Sequence, residues 1–243
     1  MSGVEGGAGP LLELRDVHAC YGSIEILHGV DLALEAGTVL ALLGPNGAGK
    51  TSALKVCSGL LATSAGSLYI AGRDVSGARP SDLARLGVCS IPEGRGVFPN
   101  LTVRENLWLA TGTGTELDAL EATVYARFPI LGKRKGQLAG TMSGGEQQML
   151  ALSRALGTNP VVLLLDELSM GLAPMIVAEM YDTVAHLVDD GLTVLIAEQF
   201  AQAVLPIATS AALILQGRIV MVGEPDDIVR DLATSYLGGT QNA

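Results

Sequence analysis

The chain has 243 residues, of which 49% are hydrophobic and 16% charged, with a formal net charge of −10 and a pI near 4.7. The length suits one large α/β domain or two small ones, and the apolar content makes a buried core easy to build. An acidic chain has no global basic field with which to hold nucleic acid, so none is expected as a partner.

One local basic cluster, Arg127 with Lys133, Arg134 and Lys135, reads as a solvated helix end. Cys20, Cys57 and Cys89 are scattered and odd in number, which suggests neither a disulfide frame nor a zinc site. They read as small core residues in a reducing compartment. The opening "MSGVEGGAGP" lacks the basic and apolar regions of a signal peptide and reads as a flexible tail, residues 1–10. No apolar run approaches the ~18–20 residues needed to cross a bilayer.

In chain order, Leu11–His18 alternates like a strand. Val39–Leu43 is a short apolar run that ends at a glycine-rich loop, and Thr51–Leu60 reads as a helix. Leu86–Ile91 is a second apolar run. Helical patterns then dominate: Val103–Ala110, Glu116–Arg127 and Glu146–Leu156. "VVLLL" at Val161–Leu165 and "TVLIA" at Thr193–Ala197 fit parallel strands buried on both faces. Ala212–Leu215 and Arg218–Val222 flank "QG", the signature of a hairpin. This pattern is a parallel α/β core with a helical insertion. No internal repeat is apparent.

"GPNGAGKT", Gly44–Thr51, matches the full phosphate-loop pattern, with a strand before it and a helix after it. Gly44, Pro45, Asn46, Gly47, Ala48 and Gly49 would let backbone N–H groups close around a β-phosphate. Lys50 would reach the β- and γ-phosphates, the Thr51 hydroxyl would bind Mg²⁺, and Ser52 continues the helix start. The motif alone fits ATPases, GTPases and small-molecule kinases. Asp166 and Glu167 end the buried "VVLLL" strand, where parallel sheets bind ligands. Asp166 suits a water-mediated Mg²⁺ partner, and Glu167 suits the group that activates an attacking water. Ser143 and Glu146 form a capping box, so "SGGE" read alone is a well-capped helix with glycines in its turn.

Taken in order, the phosphate loop, "MSGGEQ" and "LLLDE" resemble an ATP-binding cassette ATPase over nearly the whole chain, Leu11 to about Leu237. The resemblance implies a RecA-like P-loop NTPase core of α/β class, with an antiparallel β part and an inserted α-helical subdomain. The core is expected at residues 11–92 and 158–237, the helical subdomain at 93–157 and a tail at 238–243. It implies a head-to-tail dimer, with itself or with a sister cassette, in which Ser143, Gly144, Gly145 and Glu146 cap the γ-phosphate held by the partner's phosphate loop. Tyr21 resembles the aromatic that stacks on adenine. ATP and Mg²⁺ are the implied ligands, with Thr51, Glu93 and Asp166 around the metal and Lys50, Glu167 and Gln199 in the chemistry.

Several positions depart from the common family pattern. Met142 replaces leucine, Glu93 stands where glutamine is usual, Leu168 replaces proline, Ala173 replaces aspartate, and Gln199 takes the place of the switch histidine. His18, His28 and His186 are misplaced for that role and read as ordinary surface or satisfied residues. "PEGR-x-x-F", "GLAP", "EQ" and the ending "YLGG" look like one ATPase subunit of branched-chain amino-acid importers. Leu168 departs from that subfamily too, which puts the turn after Glu167 in question. Urea and short-amide importers, or a non-transport cassette, are the alternatives. The importer reading places the protein at the cytoplasmic face of a membrane, bound to permease subunits and acting indirectly with an external binding protein. Coupling to the permease is expected through the surface around Glu93–Leu107.

Overall fold

The computed structural model describes residues 9–94, 96–111 and 115–230. The expected tails and the "YLGG" ending fall wholly or largely outside them.

Two long strands open the chain, β1 (Leu12–Tyr21) and β2 (Ile24–Leu34), paired antiparallel. Next come β3 (Val39–Leu43), α1 (Lys50–Cys57), β4 (Thr63–Ile70), β5 (Arg73–Asp74), α2 (Pro80–Arg85) and β6 (Val88–Ile91). Among the described residues four α-helices and a 3₁₀ turn (Ala139–Thr141) separate β6 from the next strand: α3 (Val103–Ala110), α4 (Leu117–Arg127), α5 (Pro129–Lys133) and α6 (Gly144–Gly157). The chain then returns through β7 (Val162–Asp166), α7 (Pro174–Asp189), β8 (Thr193–Glu198), α8 (Ala201–Val204), β9 (Ser210–Leu215) and β10 (Arg218–Gly223).

The strands form two sheets. One is antiparallel, in the order β2-β1-β4-β5. The other runs β10-β9-β3-β8-β7-β6 and is parallel except for the β9–β10 hairpin. The apolar runs become its central strands because both faces are covered. Successive side chains of a strand point to opposite faces, and two cores result. Val39, Ala41, Leu43, Leu163, Leu165, Val194 and Ile196 pack on the side of α3–α7. Leu40, Leu42, Leu164, Leu195 and Ala197 pack against α1 and the antiparallel sheet.

Helix starts follow capping chemistry. Thr102 and Glu105 form a reciprocal box before α3, and Ser143 and Glu146 form one before α6. Helix α1 stops short of the expected Leu60, because Gly59 turns left-handed at φ 72° under the carbonyl of Ala78. Cys57 is buried as expected, whereas Cys20 and Cys89 are only half-buried.

Candidate nucleotide site

All the parallel strands end on one edge of the sheet, and the phosphate loop leaves β3 there. A cavity of about 480 Å³ opens at this edge, lined by Tyr21, Ile26, Asn46, Gly47, Gly49, Lys50, Thr51, Ser52, Glu93, Glu167 and Met170. Residues distant in sequence meet here because β3 and β7 both flank β8.

The loop has the backbone its glycines permit. Gly47 and Gly49 lie at φ 78° and 112°, a region L side chains rarely adopt. A side chain at Gly44 would collide with the carbonyl of Ile214. Ala48 is buried, and its carbonyl accepts the Gly217 N–H of the β9–β10 turn at 2.8 Å. Lys50 Nζ donates to the carbonyls of Gly44 (2.9 Å) and Pro45 (3.2 Å) and pairs with Glu167 Oε1 at 2.9 Å. The Thr51 hydroxyl donates to Asp166 Oδ1 at 3.0 Å. Burial, above all, holds the Asp166 carboxyl above its ordinary range; the nearby charges of Glu167 and Glu93 act in the same direction.

This donor set fits Mg²⁺. A hydroxyl and a carboxylate stand side by side at the phosphate loop, both hard oxygen donors, and Mg²⁺ characteristically takes only one or two protein ligands beside phosphates and water. Among the described residues no three His, Cys, Asp or Glu side chains form a cage of the kind an all-protein metal site needs.

Tyr21 sits at the rim, 45% exposed, with Lys55 Nζ 5.6 Å from its ring centroid. The exposed Glu93 lines the same cavity. Leu168, whose replacement of proline put the turn in question, is buried in the larger core, and Glu167 still reaches Lys50. Gln199 is exposed and is not among the cavity-lining residues. Ser143, Gly144, Gly145 and Glu146 also stand apart. Gly144 lies in a neighbouring cleft with Gly94, Gly96, Gln147 and Gly171, and Met170 borders both clefts. Gly145 is buried beside Ile176. Glu146 is engaged by the Ser143 N–H at 3.0 Å and by Arg134 at 3.2 Å.

One buried acid near the site escaped the sequence reading. Glu198, fully buried at the end of β8, accepts from the Ser169 N–H (2.9 Å), the Ser169 hydroxyl (2.8 Å) and the Tyr181 hydroxyl. Burial pushes its carboxyl up and the Tyr181 hydroxyl up as well. The only signal in the sequence is an acid closing an apolar strand.

A family model described as ABC transporter matches residues 27–169, more than half of the chain. The chain belongs to the ABC transporter ATP-binding subunits. The cassette hydrolyses ATP, and members of its family dimerise and associate with permeases. It is 39% identical over 234 residues to the high-affinity branched-chain amino acid transport ATP-binding protein BraG of Pseudomonas aeruginosa, covering 94% of the cassette and all of that relative. It is 35% identical to the probable branched-chain amino acid transport ATP-binding protein LivF of Archaeoglobus fulgidus, over 90% of the cassette and 94% of the relative. Its fold matches the ATP-binding cassette MJ1267 with a TM-score of 0.84 at 24% identity, covering 93% and 98% of the two chains. It also matches the dimeric, ADP- and Pi-bound cassette MJ0796 with a TM-score of 0.79 at 20% identity, covering 88% and 98%. Among the described residues no helix is long and apolar enough to cross a membrane.

Proposed function

We propose that the cassette powers uptake of branched-chain, hydrophobic amino acids, working as one half of a head-to-tail dimer against permease subunits on the cytoplasmic face of a membrane. The observation that carries the dimer is the separation of two clefts. The cavity holding Lys50 and Glu167 lacks Ser143, which caps a helix beside a different cleft. A serine-glycine-glycine helix start is suited to an anion, and a second copy turned head to tail would bring it over the phosphate. The cargo rests on the similarity to BraG and LivF together with Glu93, Gln199 and "GLAP".

In this reading Tyr21 stacks on adenine, residues Gly44 to Ser52 cradle the phosphates, and Lys50 bridges the β- and γ-phosphates. Thr51 and Asp166 would hold Mg²⁺, with Glu93 beside them. Such an ion would supply charge neutralisation on the phosphate oxygens. Glu167 orients a water and takes its proton as the water oxygen bonds to the γ-phosphorus. The bond to the bridging oxygen breaks, leaving ADP and inorganic phosphate. Gln199 donates an amide hydrogen bond to the γ-phosphate from the switch position. Loss of that phosphate removes what the partner's Ser143 holds, and the dimer opens.

Glu167→Gln keeps size and polarity but cannot take the proton, so the variant is expected to accumulate as an ATP-bound dimer in size-exclusion chromatography, with the sister cassette present if one is needed. Adding Ser143→Arg should abolish that dimer while ATP still binds at Lys50. A double variant that still dimerises with ATP would overturn the two-cleft reading. Leucine uptake by the reconstituted transporter, competed by valine and isoleucine but not by urea, tests the cargo.

A further inference from the structure

We infer that Glu198 is a positioning residue for hydrolysis: with Ser169 and Tyr181 it bolts the turn carrying Glu167 to the strand end carrying Gln199. The inference rests on the reading of Glu167 as the base.

Glu167 is the backbone irregularity of the site. It lies at φ 51°, a left-handed conformation that costs a non-glycine residue roughly 1 kcal/mol or more and persists only where surrounding contacts impose it. Two contacts from the end of β8 impose it here. The Ala197 carbonyl accepts the Glu167 N–H at 2.9 Å. The Glu198 carboxylate grips Ser169, two residues further on, by both its N–H and its hydroxyl. Tyr181, buried on α7, donates to the oxygen of Glu198 that also takes the Ser169 N–H. Three donors thus converge on one buried carboxylate, and the next residue in the chain is Gln199. The cluster touches both proposed γ-phosphate elements and is itself absent from the cavity.

An acid buried this deeply is expensive unless its geometry is used. Glutamine can reproduce that geometry. Its carbonyl accepts the Ser169 N–H and the Tyr181 hydroxyl, and its NH₂ donates to the Ser169 oxygen. Proton transfer at Glu198 is therefore not required; the shape of the bolt is.

The test compares five variants of the cassette in its reconstituted transporter, reading kcat, KM for Mg·ATP, affinity for a fluorescent ATP analogue, and Tm. Glu198→Leu combined with Tyr181→Phe replaces the network by apolar groups of similar shape, which is close to neutral for folding. We expect kcat to fall about tenfold or more, as misplaced catalytic groups do, with ATP affinity within about twofold of wild type. Glu198→Gln should hold kcat within about threefold. Ser169→Ala, at a half-exposed position, removes one donor and leaves the apolar core untouched; it should lower kcat with unchanged affinity even if the double variant does not fold, and Ser169→Thr should restore it. Wild-type kcat in Ser169→Ala or in the double variant, or loss of ATP affinity in parallel with kcat, overturns the bolt. Glu167→Gln serves as the reference. If it is inactive while the bolt variants are normal, only this inference fails; if it hydrolyses normally, the reading of the base fails first.

Discussion

Lys50 Nζ and Glu167 Oε1 stand 2.9 Å apart, with 4% and 7% of the two side chains exposed. The cation proposed to serve the phosphates therefore also neutralises the carboxylate proposed to serve the water. Each group spares the other the cost of an unpaired buried charge, and a nucleotide held as proposed would compete for the lysine.

Removing the lysine should expose that dependence. Breaking a buried pair from one side costs about 3–5 kcal/mol, because the remaining charge is left uncompensated. We predict that Lys50→Ala lowers nucleotide-free stability by about 3 kcal/mol in denaturant titration. In a Glu167→Gln background the same change should cost much less, about 1 kcal/mol or below, because the lysine charge is then already uncompensated. Hydrolysis should fall by about two orders of magnitude or more, as when a preorganised donor is lost. Equal penalties in the two backgrounds would show that the pair carries no coupling.

The switch position gives a pH prediction. An amide at Gln199 does not titrate, whereas histidine titrates at about 6.5. The hydrolysis profile should lack a limb near neutrality that depends on this residue. Gln199→His should introduce one, and Gln199→Ala should slow hydrolysis with stability unchanged, since the side chain is exposed. An identical rate profile for Gln199→Ala would remove the residue from the γ-phosphate.

On the antiparallel sheet His18 and His28 are direct cross-strand partners sharing Glu25. The hydrogen bond that His18 Nδ1 donates to Glu25, at 2.6 Å, raises the His18 pKa, and Asp16 adds to it. A histidine raised in the folded state contributes stability that is fully present below its unfolded value of about 6.5 and is lost as pH rises through the folded value. Glu25 is lowered by the same bond, so its share is lost as acid is added. NMR titration should place His18 above the ordinary histidine value of about 6.5, and Glu25→Gln should bring it down. An unmoved His18 would mean that the bond is not formed in solution.

Ala173 occupies the N-cap of α7, a sixteen-residue helix with no side-chain cap and no acid in its first turn. Ala173→Asp restores the family's usual residue and supplies both a cap and a favourable charge. It should stabilise the protein by about 1 kcal/mol, seen as a rise in Tm of about 2–4 °C.

The parts of this molecule legible in its sequence are those where one physical requirement dominates. β3, β7 and β8 are buried on both faces and read as plain apolar runs. The phosphate loop reads from its glycines, and the acid pair from its place at a strand end. What escaped had mixed requirements. β4, "TSAGSLYI", shows its burial only in its last three residues, because Gly66 lies at φ 77° against the carbonyls of Arg15 and Asp16, where β1 bulges. Glu198 was hidden because a buried acid needs donors from Ser169 and Tyr181, 29 and 17 residues away, that only the fold supplies. The clefts bordered by Met170 are likewise a product of packing; no spacing in the sequence foretells which side of that residue the serine-glycine helix will take.

The neighbours of the phosphate loop have a consequence for how the protein is made. β3 is flanked by β8 and β9, and the Ala48 carbonyl is satisfied by Gly217, where any side chain would strike the Ile26 carbonyl. These partners leave the ribosome long after Gly44–Thr51 does. Contacts so distant in sequence form late, so the nascent chain carries the entire motif for most of its synthesis without the two strands that flank β3. A translation product that stops short of Gly217 would hold every residue of the loop without the turn that braces it.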